Sequence, residues 1–313
     1  MSKKLLLIVN PCSGKAKMKT ELLKVVQIFS DADYTVTVYP TKAREDATVR
    51  TREVKQDEFD LVVVCGGDGT LNEAISGFME TGVKVTLGYI PAGTLNEWSS
   101  NIGIARKIEQ AARDIPTGET ITLDTGKFGD KYFTYTASFG AFTSASYSVP
   151  QNVKNTLGPA AYFFEGIKEL TNLKSYHLKF ECDEKTVEGD YIFGGISNSM
   201  SLGGVLKFKE SMVKLNDGYF EVLLIKKPDN ILKYQPLIDA LLHKKFDYEG
   251  FEFFHTKAVT VSGGEDVSWT LDGEFAEGKD VIRVENIHSG ITLVVPSQNN
   301  DDSKKKQNIK QEK

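Results

Sequence analysis

The strongest chemical signal in the chain is a cluster of glycines around one aspartate: Gly66-Gly67-Asp68-Gly69-Thr70-Leu71-Asn72. The glycines permit a backbone path that side chains would block. Such a path exposes several N–H groups to an anion such as phosphate. An aspartate among these amides suggests that a cation joins it, and Mg²⁺ suits oxygen ligands of this kind. A simple tight turn needs one glycine, so the cluster predicts a site for nucleotide phosphates.

Two further turns of similar composition each follow an apolar run: Asn10-Pro11-Cys12-Ser13-Gly14 and Pro91-Ala92-Gly93-Thr94. Ser13 can donate a hydroxyl hydrogen bond, and Gly14 lets the backbone approach a ligand closely. An ordinary strand-to-helix turn explains the first segment about as well, and the second can be a loop with Thr94 as helix N-cap. Three glycine-bearing turns on one sheet edge nevertheless favour a nucleotide cleft.

A carboxylate that could act as a base occurs late in the chain. Trp269-Thr270-Leu271 has strand character, Asp272-Gly273 turns the chain, and Glu274 follows at once. A carboxylate directly after such a turn is well placed to face a cleft. The other interpretation, a solvated turn residue, would be favoured if Glu274 stood alone.

The elements that must position these residues alternate in the first part of the chain. Strands are predicted at Leu5–Val9, Tyr34–Tyr39, Leu61–Cys65 and Val85–Ile90, with helices between them, including one near Arg44–Lys55. Alternation of this kind predicts an α/β domain with a parallel sheet. The predicted domain covers residues 1–123.

Residues 124–296 are predicted to form a largely antiparallel, β-rich domain, because strand-like runs are separated there by hairpin-type turns. Helices are predicted near Pro159–Leu170 and Asn230–His243, and the last strand, Ile291–Val295, could return to either domain. The tail 297–313 is polar and basic and is predicted to be disordered. Its lysines could touch anionic lipid, although a solubilising role explains them as well. The predicted strands of this part are Lys131–Ser138, Ser175–Cys182, Tyr191–Ile196, Phe220–Ile225, Phe251–Val261 and Val281–Ile287.

Composition narrows the class of protein. The 38 Lys+Arg and 43 Asp+Glu leave a net charge of −5, which argues against a nucleic-acid partner. No apolar run is long enough to span a bilayer, and the run after Lys4 is too short for a secretory signal, so a cytoplasmic protein is expected. The 3 cysteines and 4 histidines show no metal-ligand spacing.

The ordered set of motifs resembles the bacterial diacylglycerol kinase and lipid kinase family, in a fold class shared with the NAD kinases. The resemblance runs from Leu5 to about Val295 and is most specific at Gly66–Glu73. Supporting segments are Asn10–Gly14, Thr41 with Asp46-Ala47, Pro91–Thr94, Leu123–Gly126, Leu215–Gly218 and Leu271–Glu274.

The resemblance implies an ATP- and Mg²⁺-dependent kinase acting on a lipid hydroxyl at the inner membrane surface, with its active site between the two domains. It implies Glu274 as the proton acceptor and Asp68 as a catalytic residue. It also implies a structural Mg²⁺ held by the Asp217 side chain and the carbonyls of Lys214 and Tyr219. The nucleotide-binding residues that it implies are Asn10, Pro11, Cys12, Ser13, Gly14, Thr41, Gly66, Gly67, Asp68, Gly69, Thr70, Leu71, Asn72 and Thr94.

The chain departs from the family pattern in two places. Glu97 stands where the family usually has Asp, in an acidic, water-bridged network with Asp68 and Asp124. A misplacement of about 1 Å can cost roughly 100-fold in rate. Ser201–Lys209 also lacks the usual Pro-bearing pattern, so the sequence does not identify the lipid.

Several interpretations stay open from the sequence. A NAD kinase shares Gly-Gly-Asp-Gly-Thr, and a nucleotide-binding sensor without catalysis is a further alternative. Trp98, Phe142 or Tyr162-Phe163-Phe164 could rest in a membrane interface, although a core position explains each of them better taken singly. The oligomeric state is not determined, and a homodimer is one alternative.

Overall fold

The computed structural model describes residues 2–16, 18–94, 96–140, 174–202 and 206–297. The chain divides into two units. The first holds the described residues up to Leu123 and those from Ser289 onward, and the second runs from Asp124 to His288.

The sheet of the first unit is parallel. Its strands are β1 (Lys3–Val9), β2 (Tyr34–Pro40), β3 (Leu61–Gly66) and β4 (Thr86–Pro91), in the order β2-β1-β3-β4. The end of β17 (Val281–Val295) pairs in parallel with β4, with Thr292 opposite Thr86. The last predicted strand therefore belongs to the first unit.

Helices connect these strands. They are α1 (Met18–Asp31), α2 (Asp46–Arg52), α3 (Asp68–Thr81), α4 (Glu97–Asn101) and α5 (Ile108–Asp114), with 3₁₀ turns at Ser13–Ala16 and Ile115–Thr117. All six residues of β3 are buried, as expected for a central strand covered by helices on both faces. The predicted strand–helix alternation of this part of the chain is confirmed.

The second unit is built largely of antiparallel strands. β9 (Thr186–Ser197) pairs with β7 (Thr136–Gly140), β8 (Tyr176–Glu181) and β12 (Phe220–Lys226). Further antiparallel pairs extend the sheet through β13 (Phe251–Thr256), β14 (Ala258–Ser262), β15 (Ser268–Leu271) and β16 (Glu274–Glu277). One helix, α6 (Tyr234–Leu242), follows a 3₁₀ turn at Ile231–Lys233 in place of the single helix predicted at Asn230–His243. The predicted fold class, an α/β unit followed by a β-rich unit, is confirmed. The remaining strands are β5 (Glu119–Phe128), β6 (Lys131–Phe133), β10 (Ser201–Leu202) and β11 (Leu206–Lys207).

Some predicted elements have different bounds in the structure. The strand predicted at Lys131–Ser138 is two strands, because the N–H groups of Thr134 and Tyr135 donate to the Asp272 carboxylate instead of a strand partner. The strand predicted at Phe251–Val261 is also interrupted, at Lys257. The helix predicted near Arg44–Lys55 is shorter and begins after Glu45, which has a positive φ of 66°.

Three predictions concern residues outside the described part of the chain. They are the helix near Pro159–Leu170, the interfacial position of Phe142 and Tyr162–Phe164, and the disorder of the tail beyond Ser297. Trp98 is described and is 4% exposed, so it is a core residue of the first unit.

Candidate active site

The three glycine-bearing turns of the first unit meet at the carboxyl ends of β1, β3 and β4. The Asn10 N–H donates to the Cys65 carbonyl at 2.8 Å, and the Ala92 N–H donates to the Gly66 carbonyl at 2.7 Å. On the other side of β1, the Thr41 N–H donates to the Val9 carbonyl at 2.8 Å. The structure therefore brings the segments predicted to bind nucleotide to one sheet edge.

Glycine is required where these turns approach one another. Gly14 has a φ of 55°, and a Cβ atom there would lie 1.9 Å from the Ala92 carbonyl oxygen. A Cβ atom at Gly93 would lie 2.6 Å from the Gly67 Cα atom. Backbone therefore packs directly on backbone, which leaves main-chain groups, not side chains, at the centre of the cluster.

Asn10 connects the first turn to the start of α3. Its Nδ2 donates to Thr70 Oγ1 at 3.0 Å, and its Oδ1 accepts the Cys12 N–H at 3.0 Å. The first turn of a helix carries N–H groups without intrahelical partners and a partial positive charge. Because α3 is 14 residues long and starts at Asp68, directly after Gly66-Gly67, this edge can bind an anion.

Asp68 turns its carboxylate toward β4 and α4. Oδ1 accepts the Tyr89 hydroxyl at 3.2 Å, and Oδ2 accepts the Glu97 backbone N–H at 2.8 Å. Burial raises the pKa of Asp68, while hydrogen bonds from Glu97, Tyr89 and Trp98 act to lower it. Asp68 therefore fixes the start of α4 in addition to standing at the first turn of α3.

The third turn is closed by Asn96, which has a φ of 48°. Its side chain accepts the Gly93 N–H and donates to the Gly93 carbonyl, both at 2.9 Å. Thr94 in the same turn is exposed. A cavity of about 380 Å³ opens beside Gly14 and Gly93. Its lining is of mixed charge and includes Lys24, Arg106, Lys107, Glu21 and Glu109.

In the second unit, Asp124 is the centre of a hydrogen-bonded group. It is 1% exposed; Oδ2 accepts the Gly218 N–H at 2.6 Å, and Oδ1 lies 2.9 Å from His288 Nδ1. The Asp124 backbone carbonyl accepts Asn198 Nδ2 at 2.9 Å. The Asn-Asp-Gly turn is thus held against Asp124. The predicted network of Asp68, Glu97 and Asp124 stays a prediction, since Asp124 belongs to the second unit.

The predicted cation ligands lie around the same turn. Asp217 Oδ1 accepts the Tyr219 N–H at 3.0 Å, and Lys214 precedes the turn. Among the described residues, no group of three or more His, Cys, Asp or Glu side chains is arranged to hold a metal. A metal site at this turn would therefore need main-chain carbonyl ligands as well. The predicted site includes two of them, the carbonyls of Lys214 and Tyr219.

Unpaired buried oxygens show whether this region suits a cation. Neither carboxylate oxygen of Glu221, which is 0% exposed, has a hydrogen-bond partner of acceptable geometry in the described structure, and the same holds for Asn198 Oδ1. Burial raises the pKa of Glu221 to about 8, helped by the charges of Asp217 and Asp124 and opposed by backbone N–H groups, including that of Lys214. Unpaired carboxylate and amide oxygens are donors that Mg²⁺ prefers, so the region fits the ion.

Glu274 is exposed at the start of β16. The preceding residues, Asp272 and Gly273, have φ values of 50° and 87°, as in a two-residue type I′ hairpin turn. Asp272 is anchored because its carboxylate accepts three backbone N–H groups, those of Thr134 at 2.5 Å and of Tyr135 and Thr136 at 3.0 Å. These three hydrogen bonds therefore fix the turn that precedes Glu274.

Several residues that shape these sites were not predicted from the sequence. A polar residue inside an apolar strand is the signal that would have found Tyr89 and Glu221, because buried polar groups need partners. No local signal distinguishes Asn198 or His288, whose partners are distant in the chain. The residues missed are Tyr89, Asn96, Asn198, Glu221, Asp272 and His288.

Comparisons with known proteins find relatives over almost the whole chain. The model of the diacylglycerol kinase catalytic domain matches residues 4–128. A diacylglycerol kinase of Staphylococcus aureus strain MRSA252 is 31% identical over 304 residues, covering 95% of this chain and 94% of that protein. The solved structure of a candidate diacylglycerol kinase from Bacillus anthracis str. Sterne is 26% identical, with a TM-score of 0.77 and coverage of 95% and 96% of the two chains.

Proposed function

We propose that this chain, which belongs to the diacylglycerol kinase family and is a kinase acting on an alcohol group, uses ATP as its phosphate donor. It transfers the γ-phosphate to a hydroxyl of diacylglycerol or a related lipid. The observation that carries the proposal is the meeting of three glycine-bearing turns at one sheet edge beside the first turn of α3. Phosphoryl transfer depends mainly on positioning and charge stabilisation, which such an edge can supply.

The nucleotide is assigned to the first unit. The Gly14 main chain, the Ser13 hydroxyl and the N–H groups at the first turn of α3 would hold the ATP phosphates, with Thr41 and Thr94 at the flanks. The backbone contacts at Gly14 and Gly93 support this assignment, because they fix the three turns against one another at the edge of the sheet.

Asp68 has a positioning role in this proposal. Its carboxylate holds the N–H of Glu97 and the hydroxyl of Tyr89, so the third turn and α4 keep their place relative to α3. Asp68 also places negative charge beside the phosphate site. A bound Mg²⁺ would offset the charge of the phosphates as transfer proceeds.

The proton acceptor is assigned to Glu274 in the second unit. An exposed carboxylate on an anchored turn is accessible to a substrate hydroxyl. Accepting the hydroxyl proton would make the lipid oxygen a better nucleophile toward the γ-phosphorus. General-base assistance of this kind contributes about 100- to 10,000-fold in rate.

We further propose that the enzyme works in the cytoplasm at the inner membrane surface, where a lipid hydroxyl is presented by the bilayer. Within the described residues, no helix has the length and apolarity needed to cross a bilayer. Trp98 is buried, so it has no membrane contact in this proposal.

The test is an incubation of the full chain with γ-labelled ATP, Mg²⁺ and mixed micelles that each carry one lipid: diacylglycerol, phosphatidylglycerol or a sphingoid base. Label in the chloroform-soluble product of the diacylglycerol micelles is expected. ATP turnover with no labelled lipid would point to a soluble acceptor, as in NAD kinases. Nucleotide binding without turnover would point to a sensor, and either result would overturn the proposal.

A further inference from the structure

A buried carboxylate in the second unit has no evident role in its fold. Glu221 is the one acidic residue of β12, and its neighbours on the same face, Leu223 and Ile225, pack in an apolar cluster with Val213. Both of its oxygens are inaccessible, and neither has a hydrogen-bond partner of acceptable geometry among the described residues. Burying a carboxylate in this way is costly unless something compensates its charge.

Within the part of the chain that the structure describes, no basic side chain compensates the charge of Glu221 directly. Among the described residues, His255 is the only one with a nitrogen within salt-bridge distance of Glu221, at 3.9 Å from Oε1. The same nitrogen, Nε2, lies 3.0 Å from the Met212 carbonyl, so a proton on it is already donated there. His255 therefore leaves the Glu221 carboxylate without a hydrogen bond.

The surroundings of Glu221 add negative charge instead. Asp217 and Asp124 both act electrostatically on Glu221, and the Lys214 N–H points toward it. Asn198, whose Oδ1 is also buried and unpaired, lies next to the strand residue that faces Glu221 in register, Ser197. The two Glu221 carboxylate oxygens and Asn198 Oδ1 thus lack a hydrogen-bond donor of acceptable geometry or a cation among the described residues near the Asn216-Asp217-Gly218 turn.

We infer that Glu221 is a further acidic residue of the cation site at the Asn216-Asp217-Gly218 turn, binding a hard divalent cation directly or through water. The inference deepens the structural cation site that the family resemblance implies and is independent of the reaction catalysed. Glu221 joins Asp217 there, while the Asp124 carboxylate, bonded to Gly218 and His288, shapes the turn. The site then has two carboxylates where the family resemblance implies one.

The test measures metal binding without nucleotide or lipid. The full chain is freed of metal with EDTA, dialysed, and titrated with Mn²⁺ by electron paramagnetic resonance, and thermal unfolding is followed with and without Mg²⁺. We expect one tightly bound Mn²⁺ and a higher Tm with Mg²⁺ in the wild type. Glu221→Gln should fold in EDTA, since glutamine has nearly the same shape, but should bind Mn²⁺ about 10- to 100-fold more weakly.

Three variants make the result decisive. Asp217→Asn should weaken Mn²⁺ binding as Glu221→Gln does, whereas the exposed Glu188→Gln should not change it. His255→Gln should also leave Mn²⁺ affinity unchanged. The inference is overturned if the wild type binds no Mn²⁺ tightly, or if Glu221→Gln binds it as the wild type does. A lack of kinase activity would leave these binding results unaffected, so failure of the proposed function is distinguishable.

Discussion

The Asp68 carboxylate accepts the backbone N–H of Glu97 at 2.8 Å, so the first residue of α3 holds the first residue of α4. The bond uses the main chain of Glu97 and does not depend on the length of its side chain. A second bond to the Tyr89 hydroxyl connects Asp68 to β4. Asp68 therefore helps to hold together the sheet edge that is assigned to the nucleotide, in addition to any catalytic role.

Because Asp68 makes these hydrogen bonds, its removal should affect stability as well as activity. We expect Asp68→Ala to abolish phosphoryl transfer and also to lower the free energy of unfolding by about 1–3 kcal/mol, because partly buried donors lose their acceptor. Tyr89→Phe is the matched control: it removes one of the donors and should cost about 0.5–1.5 kcal/mol while preserving activity. Urea unfolding and initial rates measure both. Wild-type activity in folded Asp68→Ala would contradict the assignment of Asp68.

Gly14 offers a test of the close approach between two turns. Gly14→Ala would place a Cβ atom 1.9 Å from the Ala92 carbonyl oxygen, so the turn must move. We expect ATP affinity, measured by calorimetry, to fall by at least about tenfold, which corresponds to 1.4 kcal/mol.

The control for Gly14→Ala is Gly82→Ala. Gly82 also has a positive φ, 73°, but a Cβ atom there would meet nothing within 4 Å. Both variants share the backbone strain of alanine at positive φ, and only one adds the clash. Equal ATP affinity in the two variants would show that the approach of Gly14 to Ala92 is unimportant for nucleotide binding.

The parts of the fold that were predictable from sequence are those encoded locally. Apolar runs such as Leu61–Cys65, ending in glycine turns, identify buried parallel strands, and their carboxyl ends must share one edge. The loops at Asn10–Gly14 and Gly66–Asn72 are therefore predictable neighbours from the sequence alone. The order of strands and the return of Thr292 to β4 needed the structure.

Contacts between residues far apart in the chain were not predictable. The break between β6 and β7 is caused by Asp272, more than a hundred residues away, which takes the N–H groups that would have continued the strand. Nothing near Thr134 in the sequence signals this. The pairing of Asp124 with Gly218 and His288 is hidden for the same reason.

Asp272 provides a prediction about the position of Glu274. Asp272→Asn keeps the turn, since Asn-Gly is the preferred type I′ pair. However, the amide would set an NH₂ group against one of the backbone N–H groups that the carboxylate now accepts. We expect a loss of about 1–3 kcal/mol in stability and a fall in kcat with little change in the KM for ATP.

The comparison for Asp272→Asn is Asp266→Asn, an exposed change of the same kind in the same unit. It should leave both stability and kcat unaltered. If Asp272→Asn loses stability but keeps the wild-type kcat, then the anchoring of the turn serves the fold alone and does not position Glu274.

Glu274→Gln tests the proposed proton acceptor. Glutamine has nearly the size of glutamate and can still hydrogen-bond, but it cannot accept a proton at neutral pH. Because Glu274 is exposed, the substitution should leave the free energy of unfolding unchanged. ATP affinity should also stay the same, since the nucleotide is assigned to the first unit.

Glu274→Gln should differ from the wild type in its rate of lipid phosphorylation. Lipid phosphorylation should fall by at least about 100-fold if Glu274 is the general base. The loss should appear equally in kcat and kcat/KM, as for an interaction made mainly in the transition state. Glu277→Gln, at the other end of β16 and equally exposed, is the matched control and should retain full activity. An unchanged kcat in Glu274→Gln would return Glu274 to the status of a solvated turn residue, and Asp68 would be the next carboxylate to test.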